Sequence, residues 1–142
     1  MASDPTTAET RELVNLFWEK MGGDWATVLV FAEQYFAEDL EWSAMGTGVP
    51  GAGTVRGRSA VLQLIGSIRE LFEPGHMEGE VVHMLVEGSW AAAETRVSAR
   101  MRDGRRYQNR YGFFIQVANR RIQVVREYFD TYYVHNLIGD HL

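Results

Sequence analysis

The sequence predicts an α+β domain in which three helices of the N-terminal half pack on one face of an antiparallel sheet. Two observations support this class. Apolar residues in the first half repeat at the helical period of 3.6 residues, and from Met77 onward the period changes to 2, as in strands with one buried face. Helices followed by a meander of strands is the element order of α+β folds, in which the helices cover one side of the sheet.

The first helix is predicted to begin at Asp4-Pro5, which supplies an N-cap and a proline in the first turn. Thr6 and Glu9 have the spacing of a capping box, so the start could also lie one or two residues later. A glycine pair ends this helix. Its apolar stripe consists of Leu13, Val14, Phe17 and Met21.

Two more helices and a short strand are expected before the meander. Asp24 can cap the second helix, and residues 40–45 are short and apolar enough for a strand. The stretch Gly46–Gly57 holds five glycines and one proline, so we expect a loop there. Ser59 is predicted to cap the third helix, which ends before Pro74-Gly75.

Composition narrows the possible functions. The 142 residues correspond to one domain, predicted to span residues 1–142. The chain has no cysteine and no histidine pair with metal-ligand spacing, so we expect neither a metal nor another cofactor.

The net charge is −5, and the arginines are interleaved with acids, which argues against a nucleic-acid face. Without a signal-peptide pattern or an apolar run of ~20 residues, the protein is expected to be cytoplasmic, with no membrane partner.

The Asp103-Gly104 pair predicts a two-residue type I′ turn, which fixes the pairing of the two strands beside it. Directly opposed residues share a sheet face. The predicted pairs are Glu94 with Phe113, Arg96 with Tyr111, and Ser98 with Asn109. One face would therefore be polar, and the opposite face would carry mainly alanines.

The polar face allows two interpretations. If the helices cover it, Arg96 becomes enclosed and needs a carboxylate partner, for which Glu94 and Glu127 are the candidates. Alternatively, the polar face is simply the solvated side of a two-layer sandwich. Pattern alone does not decide between them.

Two further turns leave side-chain directions open. A plain two-residue turn at Asn119-Arg120 would direct Arg126, Tyr128 and Asp130 inward. A three-residue turn or a bulge would instead direct Val125, Glu127 and Phe129 inward. Similarly, a two-residue turn at Glu87-Gly88 would pair His83 with Ala92 on the pocket face, and a three-residue turn would put His83 on the other face.

Four segments carry a resemblance to a known family: Val55–Val61, Arg96-Val97, Tyr107–Phe114 and Ile122–Asp130. In the order and spacing of these segments, the chain resembles members of the nuclear-transport-factor-2-like superfamily. The most similar branches are SnoaL-like polyketide cyclases, ketosteroid isomerases and limonene-epoxide hydrolases. The resemblance implies a cone-shaped curved sheet with the three helices on its concave face, an apolar pocket between them and a homodimer. It also implies that Arg96, Ser98, Asn109 and Tyr111 face inward.

The resemblance also implies roles for single residues. Epoxide hydrolases of this fold use an Asp-Arg-Asp trio, of which Arg96 matches the arginine. Ser98 stands at the first aspartate position and Glu127 at the second, while Trp42 and Ala44 fall at the positions of a water-holding Tyr and Asn. The carboxylate base of ketosteroid isomerases has no counterpart, because its position falls near Ala44.

These considerations predict a cofactor-independent acid–base enzyme of isomerase, cyclase or dehydratase type, acting on a small hydrophobic molecule. Glu127 is the predicted general base and Arg96 its orienting partner. The alternatives are a variant limonene-type epoxide hydrolase and a non-catalytic module that binds a small molecule. The residues predicted to contact the ligand are Tyr111, Asn109, Ser98, Trp42, His83, Phe113 and Phe129.

Overall fold

The computed structural model describes residues 3–49 and 51–138 and has the predicted α+β class. Four helices and six strands follow one another along the chain. They are α1 (Thr7–Met21), α2 (Trp25–Tyr35), β1 (Phe36–Ala44), β2 (Gly53–Arg56), α3 (Arg58–Arg69), β3 (Glu78–Glu87), β4 (Trp90–Arg100), β5 (Arg106–Ala118), β6 (Arg121–Phe129) and α4 (Thr131–Ile138). In the described part of the chain, no helix is long and apolar enough to cross a membrane.

The six strands form one curved, open sheet in the order β2-β1-β6-β5-β4-β3. All neighbours are antiparallel except β1 and β6, which run parallel, so the expectation of a purely antiparallel sheet is wrong for this pair. Helices α1, α2 and α3 all contact one side of the sheet, here called the inner face. The opposite side is the outer face. Strand β2 lies inside the glycine-rich stretch that was expected to be a loop, and α4 was not predicted.

Local sequence explains the starts of the first two helices. Thr6 caps α1 through a complete capping box with Glu9, which is the later of the two predicted starts. Asp24 caps α2 as predicted, accepting a hydrogen bond from the Thr27 backbone N–H at 2.8 Å. The predicted cap at Ser59 is wrong. Helix α3 begins at Arg58, two residues before the start that a cap at Ser59 would give, and its N-cap is Gly57 at φ 97°, without a side-chain cap.

The β4–β5 turn differs from the prediction by one residue. Gly104 has φ 88° and donates its N–H to Met101, whereas Asp103 has no positive φ, so the turn is not type I′. The loop has three residues with Gly104 in the left-handed position, which suits an Asp-Gly pair equally well. Thr95 therefore opposes Tyr111 and Val97 opposes Asn109.

This shift by one residue reverses the predicted face of β4. The small side chains of β4 share the inner face with the aromatic residues of β5. Arg96 instead opposes Arg110, and Ser98 opposes Gln108, on the outer face. The expectation that Arg96 and Ser98 point inward is therefore wrong.

The β5–β6 connection follows the bulge alternative. Asn119 and Arg120 have φ 51° and 60°, which is a type I′ turn of two residues. The register then shifts by one residue at Gln123, so that Ile115 opposes Val125 and Phe113 opposes Glu127. This bulge turns Glu127 to the inner face.

The β3–β4 turn lies one residue later than expected, at Gly88-Ser89, because Glu87 pairs with Trp90. A register shift near Val82 then pairs His83 with Glu94 on the outer face, where His83 is exposed. The predicted contact between His83 and a ligand inside the cone is therefore wrong.

The inner face is covered by two apolar clusters. The larger joins α1 and α2 to the centre of the sheet, around Phe17, Phe36 and Ile115. The smaller joins α4 and the segment after α3 to the far end of β4 and β5, around Phe72 and Tyr107. Burial of these side chains is the main stabilising contribution to the fold.

The β5–β6 turn yields a stability prediction. A left-handed conformation costs an ordinary residue roughly 1–2 kcal/mol, and Arg120 adopts it at φ 60°. We expect Arg120→Gly to raise the free energy of unfolding by about 1 kcal/mol, measured by urea denaturation. Arg120→Ala is the matched control, because it removes the side chain and leaves the strain. A glycine variant no more stable than the alanine variant would contradict this prediction.

Candidate active site

A cavity of about 230 Å³ lies where the two apolar clusters meet. Its floor is the inner face of β1, β5 and β6, and its walls come from the end of α1, from α3 and from α4. Most lining side chains are aliphatic or aromatic. Among the described lining residues, only Glu127 and Arg69 carry charge.

Glu127 holds the only carboxylate among those lining residues. It lies on β6 between Ala44 of β1 and Phe113 of β5. Burial raises the pKa of Glu127 to about 7, and a hydrogen bond from the Trp42 side chain opposes this rise. No cation is among the causes of the shift, so near neutral pH the carboxyl group is divided between its two protonation states.

Two tyrosine hydroxyls face the same cavity. Tyr107 and Tyr111 lie four residues apart on the inner face of β5, and their hydroxyl groups are hydrogen-bonded to each other. The amide nitrogen of Asn109 donates to the Tyr107 oxygen at 3.2 Å. Burial raises the pKa of both tyrosines, so they are neutral hydrogen-bonding groups.

Asn109 lies next to Tyr107 and has a structural role. Its side-chain oxygen accepts from the backbone N–H of Arg110 at 2.8 Å and of Asp130 at 3.3 Å, and its amide also donates to the Asp130 carbonyl oxygen. The side chain is buried and ties β5 to the end of β6. Asn109 is not among the residues that line the cavity, so a direct ligand contact is not what its geometry favours.

Apart from Asn109, the predicted site residues divide into two groups. The cavity brings together Glu127, Tyr111, Trp42, Phe113 and Phe129. The second group, which comprises Arg96, Ser98 and His83, lies on the outer face.

This division removes one predicted interaction. Arg96 is exposed and separated from Glu127 by the thickness of the sheet, so it cannot orient that carboxylate. The expected group of Arg96, Ser98 and Glu127 is not assembled. Arg96 and Ser98 instead border a polar groove with Glu80, Gln108 and other residues.

Two polar lining residues were not found from the sequence, namely Tyr107 and Arg69. Tyr107 follows from the period of 2 once the register of β5 is correct. Arg69 had no comparable signal, because a basic residue in the last turn of a helix is common at any helix end. In the described part of the chain, no group of three or more His, Asp or Glu side chains could hold a metal ion.

Comparison with family models gives one match, to the SnoaL-like domain, over residues 10–125. No curated protein matches the sequence significantly.

Several solved structures share the fold across nearly the whole chain. An NTF2-like protein from Burkholderia xenovorans is 26% identical, with 96% of this chain and 98% of that chain covered and a TM-score of 0.69. A protein assigned as a SnoaL-like polyketide cyclase, from Jannaschia, is 16% identical with 98% and 97% covered and a TM-score of 0.76. A limonene-epoxide-hydrolase-like enzyme from Mycobacterium tuberculosis is 18% identical with 93% and 92% covered and a TM-score of 0.70.

The raised pKa of Glu127 predicts a pH-dependent cost in stability. An ordinary glutamate has a pKa of 4.5, against about 7 for folded Glu127. The folded state therefore binds this proton more tightly, and stability falls by about 3 kcal/mol as the pH rises through this interval. Replacing the group by Glu127→Gln removes that loss. We expect the variant to gain free energy of unfolding relative to wild type between about pH 5 and about pH 8.5.

The measurement is urea denaturation of both proteins at the two pH values. Glu33→Gln serves as the matched control, because Glu33 is an exposed carboxyl group on α2, away from the cavity and from the outer face. If the difference between wild type and Glu127→Gln is the same at both pH values, the carboxyl group is not desolvated as described.

Proposed function

Because this chain belongs to the SnoaL-like domain family, we propose that its cavity is the active site of a cofactor-independent acid–base enzyme acting on a small apolar substrate. The reaction is a proton transfer of isomerase, cyclase or dehydratase type. One observation carries the proposal: Glu127 has its carboxyl group in an apolar cavity, with a pKa of about 7 and no cation setting it. General bases work best when their pKa lies near the operating pH.

Glu127 is the proposed proton acceptor. In its ionised form it removes a proton from a carbon atom next to a substrate carbonyl group, and the electron pair of the C–H bond moves into an enolate. The protonated carboxyl group then returns the proton to another atom of the same substrate, so that no external reagent is consumed. The Trp42 hydrogen bond favours the ionised form and holds the carboxylate in place.

Tyr111 is the proposed donor to the developing enolate oxygen. Tyr111 and Glu127 are diagonal neighbours on the inner face, a relation that separates residues by about 7–8 Å in a sheet. This spacing leaves room for a substrate carbon at one group and its oxygen at the other. If the Tyr107 hydroxyl donates the hydrogen bond to the Tyr111 oxygen, the Tyr111 hydroxyl is free to donate to the ligand. The Asn109 amide in turn donates to the Tyr107 oxygen.

The geometry favours proton transfer over epoxide hydrolysis. Several structures with this fold are named as cyclases, isomerases or epoxide hydrolases, so the fold alone does not select the reaction. A trio of the hydrolase type requires an arginine and a second acid beside Glu127. The positions expected to supply them, Arg96 and Ser98, are on the outer face.

The catalytic test uses nitrobenzisoxazole, a small aromatic probe that a carboxylate opens by removing its ring C–H proton as the N–O bond breaks. The product is a coloured cyanophenolate. We expect Glu127→Gln to lower kcat/KM by about 100-fold or more, which is the contribution of a positioned general base. Wild-type kcat/KM should rise with pH through about 7, because only ionised Glu127 accepts the proton.

Glu33→Gln is again the control, and its rate should equal that of wild type. Equal rates for wild type and Glu127→Gln would contradict the assignment of Glu127. If both proteins bind the probe equally and neither turns it over, the non-catalytic binding module is the better description.

We further propose that two copies of this chain associate through their outer faces. Leu85, Ala92 and Phe114 form a row across three strands of this face, and Phe114 packs edge-on against Tyr128. Phe114 is 47% exposed, which is unusual for a large apolar side chain in the middle of a sheet. Acidic and basic residues lie together on this face, so two copies related by a twofold axis can match opposite charges. Among them are Glu80, Glu94, Arg96 and Arg110.

The association is tested by light scattering after size exclusion. We expect wild type to have the mass of two chains and Phe114→Lys that of one, because the lysine puts a charge in the centre of the contact. Val30→Lys is the control, since Val30 is an exposed apolar residue on α2, which covers the inner face. A monomeric wild type, or a dimeric Phe114→Lys, would contradict the proposal.

A further inference from the structure

The cavity is small for a complete ligand site. Its volume of about 230 Å³ is below the range of roughly 300–1,000 Å³ that is usual for ligand pockets. A second depression of about 480 Å³ lies next to it, between the α1–α2 corner and the segment that follows α3. Three residues, Arg69, Phe72 and Met77, line both. The cavity and this groove therefore meet at the end of α3.

Arg69 occupies the junction and is held there by backbone contacts. Its guanidinium group donates to the Gly23 carbonyl oxygen at 2.7 Å and to the Met21 carbonyl oxygen at 3.5 Å. It also lies over the Trp25 ring, 5.8 Å from the centroid. These contacts fix the position of the guanidinium group without neutralising it.

The charge of Arg69 has no direct carboxylate partner among the residues that the structure describes. Among residues 3–49 and 51–138, no carboxylate oxygen lies within 4.0 Å of its nitrogen atoms. A guanidinium group has five N–H donors, and two hydrogen bonds leave three of them available. A half-buried arginine of this kind, beside an apolar cavity, is suited to bind a carboxylate of a ligand.

The acids of the groove have other partners or point to solvent. Asp24 accepts the N-cap hydrogen bond from Thr27, and Arg69 is only a minor cause of its lowered pKa, after the hydrogen bonds from Thr27. Glu73 pairs with Arg100 at 3.9 Å and with His76 at 3.7 Å. Glu70 is exposed. A second cation, Arg102, also lines the groove.

We infer that the cavity and the groove form one binding site for an amphipathic carboxylic acid, whose apolar body occupies the cavity and whose carboxylate binds Arg69. This inference deepens the proposed function, on which it rests, by naming the substrate class. With the carboxylate held at the junction, the body of the ligand, with the carbonyl group at which Glu127 acts, extends into the cavity toward Glu127. The two charged lining residues thus have different tasks, one anchoring the ligand and the other reacting with it.

Binding of two matched probes, phenylbutyrate and its uncharged amide phenylbutyramide, tests the inference by calorimetry. We expect wild type to bind the acid about ten-fold more tightly than the amide, a usual contribution for a hydrogen-bonded charge pair. In Arg69→Gln this preference should disappear while the affinity for the amide is retained. Arg69→Lys, which keeps the charge but not the planar fork, should retain part of the preference and also covers the case in which the glutamine variant does not fold.

Two controls locate the carboxylate. Arg102→Gln removes the same charge from the same groove and should keep the preference for the acid. Glu127→Gln should keep it as well, whereas an acid seated beside Glu127 would bind that variant more tightly than wild type. The inference is overturned if wild type binds acid and amide equally, if wild type binds neither, or if Arg69→Gln keeps the preference.

Failure of this inference is distinguishable from failure of the proposed function. If turnover of nitrobenzisoxazole depends on Glu127 but the acid has no advantage, only the carboxylate anchor is refuted. If the acid is preferred through Arg69 but no turnover depends on Glu127, the anchor stands and the enzyme proposal fails.

Discussion

The alternation of side chains along β5 and its two neighbours is the constraint on which the cavity depends. A shift of one residue in a strand pair moves every side chain of a strand to the other face. Here two local features decide the outcome. The three-residue loop that ends in Gly104 turns Arg96 outward, and the bulge at Gln123 turns Glu127 inward. The bulge is anchored to β1, because the Gln123 amide donates to the Asp39 carboxylate at 3.0 Å.

The same alternation determines the electrostatics of the site. Had Arg96 faced inward beside Glu127, its charge would have lowered the pKa of the carboxyl group and favoured a permanent ion pair. With Arg96 outside, burial is the main influence and a single indole hydrogen bond opposes it, so the pKa lies near 7. The ionised carboxyl group lowers the folding stability at neutral pH because it is desolvated. The same desolvation places its pKa where it can exchange protons with a ligand, so the cost in stability and the proposed chemistry have one cause.

The structure is predictable from the sequence where a single local signal decides it. The capping box of Thr6 and the N-cap at Asp24 are examples, and so is the change of period that separates helices from strands. The β4–β5 turn is not predictable in this way, because Asp103-Gly104 fits two turn geometries whose loops differ by one residue. Tertiary contacts accompany the one that is adopted: Met101 is buried and bridges to Phe72, a contact between distant segments that no local pattern reveals. Strand β2 was missed because it is short and lies among glycines.

Arg69 illustrates why a residue with structural contacts can also be the best binding group. The carbonyl oxygens of Met21 and Gly23 belong to the end of α1 and the turn after it, so the guanidinium group satisfies backbone acceptors that a helix end leaves free. These bonds and the Trp25 ring hold the long side chain in one conformation before any ligand arrives. A mobile arginine would lose about 0.5–1.5 kcal/mol of conformational freedom on binding, and this one has already lost most of it during folding. The contacts that fasten the helices to each other therefore also prepare a cation at the mouth of the cavity.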